Sequence, residues 1–387
     1  MSVPQHESPG GTGAGLISER VEDLLGRVRH AVEQGPLPSV QIALALNGKL
    51  AFFQTVGDGA DNNSRYNVYS CTKPLVAAAI WKLMGEGKLD IDHYVSHYLP
   101  EFSAKGKDRV TVEQVLCHTA GFPQAPMGPP DWWRRDTRLK RMAGWHLDWE
   151  PGSQFAYHAT SAHWVLAELI AGVSGGDYRD YINTEILDQL GLEALRLGVP
   201  AAQQGDIATL QHVGDPPSAK ELEDVFGMAV EWPDMVDESL LVFNEPAVRE
   251  LGVPGGGAIS NAAEMALFYQ ALMRNDTGLW NPEVLADATG RVRVNFPDPM
   301  TGVPANRGLG VVIAGSGPQA RYRGMGKSVS ASAFGHQGVG GQIAWGDPGT
   351  GLSFCLLTNG LDINPIRSAR FAAGVNNRAG NCTERPL

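Results

Sequence analysis

Residues Val68–Met84 read VYSCTKPLVAAAIWKLM. Ser70 and Lys73 stand three apart, a spacing that puts both on one face of a helix. Pro74 is tolerated in a first helical turn, where its missing N–H would have no partner. Leu75, Val76, Ala79, Ile80, Leu83 and Met84 then give a helix starting here a buried apolar stripe. Ser70 is therefore expected at the helix N-terminus, where free N–H groups and the dipole favour an oxyanion. A lysine beside it can take its proton, provided burial and nearby positive charge lower the lysine pKa. The competing reading is a helix cap beside a solvated lysine. The chain has 20 serines and 9 lysines, so roughly half an S-x-x-K is expected by chance. The motif needs partners elsewhere.

The rest of the chain sets the limits. Its 387 residues suit one large domain or two interlocked ones. It is 43% hydrophobic and 19% charged, a globular rather than a disordered composition. The net charge of −11, without a basic block, disfavours nucleic acid and anionic membranes as partners. The start lacks the charged-then-apolar layout of a signal peptide. No apolar run approaches the roughly 20 residues a membrane helix needs. Cys71, Cys117, Cys355 and Cys382 are scattered without a C-x-x-C pair, which argues against zinc or a disulfide framework. A cytoplasmic protein is expected.

Residues 1–15, polar and Gly-rich, read as a disordered tail. A helix follows, with Ile17, Val21, Leu24, Val28 and Val32 at helical spacing and Ser18 as its cap. Two β-rich runs then flank Asn47-Gly48, the dipeptide a tight hairpin turn favours. The other end of the chain is similar. Arg307–Gly315 reads as a strand. Gly341–Gly360 reads as strand, Asp-Pro-Gly turn, strand, and Asn364–Val375 as a closing helix. Helical patterns dominate between, as in Ser161–Gly175 and Asn261–Met273. The expected fold is α/β of the α+β type. One antiparallel sheet from residues 16–75 and 290–387 is flanked by helices, and residues 76–289 form a mainly helical domain, with an active site in the cleft.

Two further pieces could complete a site. Tyr157 follows a Pro151-Gly152 turn and precedes an amphipathic helix, where its hydroxyl could relay a proton; a packing tyrosine is the plainer reading. The run FGHQGVGGQIAW, Phe334–Trp345, is a Gly-rich strand edge that a substrate could approach closely. No helix opens after it, so dinucleotide binding does not apply. No G-x-S-x-G is present, which closes the α/β-hydrolase route.

Taken in order, these pieces resemble the serine β-lactamase and penicillin-binding-protein superfamily, above all its class C branch and the family VIII carboxylesterases. Ser70-Cys71-Thr72-Lys73 matches S-x-x-K. Tyr157-His158-Ala159 falls at Y-x-N, and His336-Gln337-Gly338 at K-T-G or H-x-G. The segments Val110–Pro123, Glu150–Gly175, Pro254–Leu272 and Gly335–Asn359 look like the family's connecting stretches, so the resemblance spans residues 17–373. It implies that Ser70 is an acyl-accepting nucleophile and that Lys73 and Tyr157 share the base and acid work. It implies an oxyanion hole from the N–H groups of Ser70 and Val339. No metal or organic cofactor is implied.

Two departures bear on the substrate. Ala159 stands where lactamases of this branch carry asparagine, and His336 where they carry a lysine for the substrate carboxylate. Histidine is mostly neutral near pH 7. Both changes favour an ester or a neutral amide over a β-lactam. The substrate-binding set expected is His336, Gln337, Gly338, Ala159, Trp133 and Trp149. The tryptophans come from a segment with four of them in 18 positions, which could line an acyl pocket or serve packing. His118, His158 and His163 lack metal spacing and are expected in the core or on the surface. The expected activity is a carboxylesterase on small or medium acyl esters. Amide hydrolysis (a D-aminopeptidase, an amide oligomer hydrolase or a weak β-lactamase), acyl transfer and a catalytically silent scaffold are the alternatives.

Overall fold

The computed structural model describes residues 15–230 and 236–384. Residues 1–14 of the expected tail lie outside that range.

Helix α1 (Ser18–Glu33) begins one residue earlier than the cap reading requires. Ile17 is the N-cap and Ser18 the first helical residue. Strands β1 (Ser39–Leu46) and β2 (Lys49–Gly57) form the expected hairpin. Asn47 and Gly48 both have positive φ, 53° and 84°, as a two-residue turn of this hand demands. The C-terminal half adds β3 (Val312–Ile313), β4 (Phe334–Gln337), β5 (Ile343–Asp347) and β6 (Leu352–Thr358). The order across the sheet is β2-β1-β6-β5-β4-β3, antiparallel throughout. The two chain ends thus share one sheet, joined where Ile42 faces Leu356.

Alternation along the central strands explains its two covers. Val40, Ile42, Leu44 and Leu46 point to the face carrying α1 and the last helix α5 (Pro365–Ala379), where they meet Leu24, Val28, Phe371 and Val375. Ala43 and Ala45 point the other way, and their small side chains let α4 (Ala262–Arg274) pack closely. The buried Gln41 accepts a hydrogen bond from the Ala262 N–H at the start of α4 (2.7 Å), and Gln270 donates to the Ala45 carbonyl (2.9 Å). These bonds fix the helix against the sheet.

The helix after Lys73 is α2 (Lys73–Gly85). It is buried on nearly every side, not along one stripe: Ala77, Ala78 and Trp81 are inaccessible too. Helix α3 (Ser161–Ser174) packs beside it. A central, enclosed helix is a stiff mount for whatever its first turn carries. No helix among the described residues is long and apolar enough to cross a membrane.

Candidate active site

Ser70 lies in a 3₁₀ turn, Tyr69–Thr72, that runs directly into α2. Tyr69 has φ +44°, a left-handed conformation that costs a non-glycine residue about 1–3 kcal/mol. Neighbours hold it there. The Asn67 side chain accepts from the Tyr69 N–H (3.0 Å) and donates to the Gly256 carbonyl (3.2 Å). Val68 N–H donates to Ala258 (3.0 Å), whose own N–H donates to the Thr72 hydroxyl (3.0 Å). The Gly255–Gly257 loop is therefore clamped to the serine turn.

That loop also holds the lysine. Lys73 Nζ donates to the Gly255 carbonyl (2.7 Å) and the Ala159 carbonyl (2.7 Å), and lies 3.0 Å from Ser70 Oγ. The side chain is fully buried. Burial and the Arg307 charge pull its pKa from the ordinary value of 10.5 down to about 7. The amine thus has an appreciable unprotonated fraction at neutral pH and points at a hydroxyl. Ala159 contributes through its backbone carbonyl, which any residue at that position supplies.

Tyr157 is placed from behind. His118, itself at φ +60°, accepts the Ala156 N–H on its carbonyl (3.3 Å) and the His158 N–H on Nδ1 (3.2 Å). The tyrosine ring is therefore bracketed on both sides along the chain. Lys73 Nζ lies 5.0 Å from its centre. The hydroxyl is shielded from solvent and, among the described residues, makes no hydrogen bond of standard geometry. Burial pushes its pKa up to about 12, while Ser70 and Arg307 favour the ionised form.

Strand β4 completes the cleft. Its end abuts the serine turn so closely that a Cβ on Gly338 would stand 2.6 Å from the Val68 carbonyl oxygen. The Cys71 thiol donates to the His336 carbonyl (3.2 Å) and ties the two elements together. Val339, 44% exposed, follows at the start of a turn. His336 faces Tyr157, with ring centres 5.9 Å apart. Its Nδ1–H donates to the Gln337 carbonyl (2.6 Å), leaving Nε2 to accept from Arg307 (3.4 Å). Burial and the Arg307 charge hold its pKa well below the usual value, so it is neutral.

Three expectations need correction. Gln337 points away from its neighbours on the strand, and its amide lies over Gly324. Trp133 stands in a surface groove with Arg135, Ala171 and Tyr178. Trp149 lies over His158 with its N–H toward Thr119, one layer behind Tyr157. The other tryptophans of that segment are core: Trp145 stacks on Phe122 and Trp132 on Trp164. Instead, an apolar wall flanks the serine turn, made by Tyr69, Leu240, Leu241 and Phe243. His118, His158 and His163 are all buried. All four cysteines are buried free thiols. Among the described residues, no group of three or more His, Cys, Asp or Glu could hold a metal ion.

Half-buried Ser70 and fully buried Lys73 lie between an antiparallel sheet and a helical layer, and the class is a β-lactamase-fold hydrolase. The chain belongs to the beta-lactamase family, whose model matches residues 24–375. It is 26% identical over 311 residues, 77% of this chain and 70% of the relative, to the esterase/beta-lactamase LipL of Mycobacterium tuberculosis. It is 24% identical over 383 residues, 89% of this chain and 84% of the relative, to a putative D-alanyl-D-alanine carboxypeptidase of Salmonella paratyphi B. Among solved structures it resembles a family VIII carboxylesterase with a TM-score of 0.77 and 21% identity, covering 95% of this chain and 99% of the other.

Proposed function

We propose that this chain is a carboxylesterase that forms an acyl-enzyme on Ser70. The observation that carries the reading is the Lys73 amine, buried, held by two carbonyls and 3.0 Å from Ser70 Oγ. Ser70 Oγ attacks the ester carbonyl and its proton passes to the neutral Lys73 amine. The N–H groups of Ser70 and Val339 receive the oxyanion. Collapse breaks the bond to the alcohol; Tyr157 gives its own hydroxyl proton to the leaving oxygen and takes the Lys73 proton in its place, which restores both groups. Water then attacks the acyl-enzyme and releases the acid.

Support for an ester over a β-lactam comes from His336, which is neutral and has both ring nitrogens engaged. The apolar wall of Tyr69, Leu240, Leu241 and Phe243 suits a small or medium acyl chain. The likeness to a peptidase keeps amide hydrolysis as a second reading. A panel of p-nitrophenyl esters, a chromogenic cephalosporin and a D-alanyl amide separates them. The expected result is turnover of acetyl to hexanoyl esters, with slow or no opening of the cephalosporin. Faster release from the D-alanyl amide than from every ester would overturn it.

The fit of β4 against the serine turn gives a second test. In Gly338→Ala the new Cβ meets backbone at Val68, which cannot yield cheaply. Bringing that 2.6 Å contact to ordinary van der Waals distance requires a movement on the order of 1 Å, which takes the Val339 N–H off the oxyanion. Displacements of that order cost about 100-fold in rate. The variant should therefore stay folded by circular dichroism, yet lose about two orders of magnitude in kcat. Full activity would remove this strand from the catalytic geometry.

A further inference from the structure

Arg307 belongs to none of the sequence motifs. Its backbone pairs with Val294 and Val312 just before β3, and its side chain turns inward, 7% exposed. A buried guanidinium is ordinarily matched by a carboxylate. Here, among the described residues, Nη1 reaches only the neutral His336 ring, the cation sits 5.4 Å from the centres of both the Tyr157 and Phe155 rings, and Nε has no partner. Asp298 acts on it only across space. A cation kept buried at such a cost needs a reason, and the reaction offers one.

We infer that Arg307 is a positioning residue that acts on the proton transfer through its fixed charge. Set behind Tyr157 and His336, with no carboxylate among the described residues in contact with it, it favours the neutral amine of Lys73 and the negative charge that develops on Ser70 and Tyr157. The inference rests on the acyl-enzyme reading. The other groups facing Lys73 cannot supply this effect. From its own turn come the Ser70 hydroxyl and the Cys71 thiol, the latter pushed by burial to about 12 and so uncharged. From the neighbouring elements come Tyr157, His118, His163 and His336. Burial, with Arg307 itself contributing, holds the three imidazoles well below their usual pKa and therefore neutral. Arg307 is the one permanent charge in this group.

The test is the rate of Ser70 labelling by a fluorophosphonate between pH 5 and 10, followed by intact mass. Wild type, Arg307→Gln, Arg307→Met and Arg307→Lys are compared, each first checked for folding by circular dichroism. The wild-type rate should fall on the acid side with a midpoint near 7. Whichever neutral variants fold should shift that midpoint up by about one unit, labelling about tenfold more slowly at pH 6. Arg307→Lys should restore the wild-type midpoint. An unmoved midpoint in the neutral variants overturns the inference, and so does an equal loss at every pH in all three substitutions, the mark of a packing role. If no neutral variant folds, a wild-type midpoint near that of free lysine overturns it as well. Absence of a Ser70 adduct in wild type is a separate outcome and removes the acyl-enzyme reading itself.

Discussion

Ser70→Ala is expected to lower kcat/KM for the best p-nitrophenyl ester by about four orders of magnitude or more, and Lys73→Met by nearly as much. The first removes the nucleophile. The second removes the amine that lies 3.0 Å from the hydroxyl and leaves it without that base. Lys73→Arg separates charge from basicity. It keeps a cation and its donors but cannot deprotonate near neutrality, so it should be as inactive as the methionine variant. Retention of more than about one per cent of activity in Ser70→Ala would refute the nucleophile assignment. Stability gives a second reading of the same group. Folded Lys73 titrates at about 7 and the unfolded side chain near 10.5. Above 10.5 it costs nothing. As pH falls toward 7 the unfolded chain takes up a proton that the folded one refuses, a loss of roughly 4–5 kcal/mol that is complete below 7. Lys73→Met lacks that loss, so its stability relative to wild type should climb across this window. Urea unfolding at pH 10 and pH 7 measures it.

The sequence signals that proved legible were local. Asn47-Gly48 needs no tertiary help to turn, and the helical patterns over Ser161–Gly175 and Asn261–Met273 became α3 and α4. Ser70 and Lys73 were legible for the same reason, since one helical turn joins them. What was hidden depends on distant chain. The run Arg307–Gly315 reads as a strand, but Gly310 adopts φ +80° with Ala77 pressed against it, and only Val312–Ile313 stays in the sheet. Gly255 acts through a carbonyl, which any residue has, and its one trace is the glycine run that lets the loop approach Lys73. Arg307 acts through a charge 150 positions from Tyr157, with no periodicity to mark it. The tryptophans misled because aromatic density reports burial, not which side of a segment faces the cleft.

Acid is expected to unfold this protein steeply, between about pH 5 and pH 4, because four buried imidazoles must stay unprotonated. His118 Nδ1, His158 Nε2 and His336 Nε2 each accept a hydrogen bond, which requires a free lone pair. His163 is buried, and among the described residues both its nitrogens are unpartnered. Burial lowers His158 to about 4 and the other three well below the usual value. Depressed pKa values mean full stability above the unfolded value of about 6.5 and loss as pH falls below it. Each group contributes about 1.4 kcal/mol per pH unit, so the four together give about 5.5 kcal/mol per unit. Two units of that slope, about 11 kcal/mol, use up most or all of a reserve of about 5–15 kcal/mol. His163→Leu isolates one of them. It fills similar volume, removes two unsatisfied nitrogens and deletes one proton from the uptake. The acid midpoint should move down by a few tenths of a unit, and the slope of unfolding free energy against pH should fall by about one proton. Denaturant unfolding at half-unit steps from pH 7 to 4.5 gives both quantities. A wild-type uptake below one proton would show that the imidazoles charge freely in the folded state, and would remove the dry, neutral environment on which the depressed Lys73 also depends.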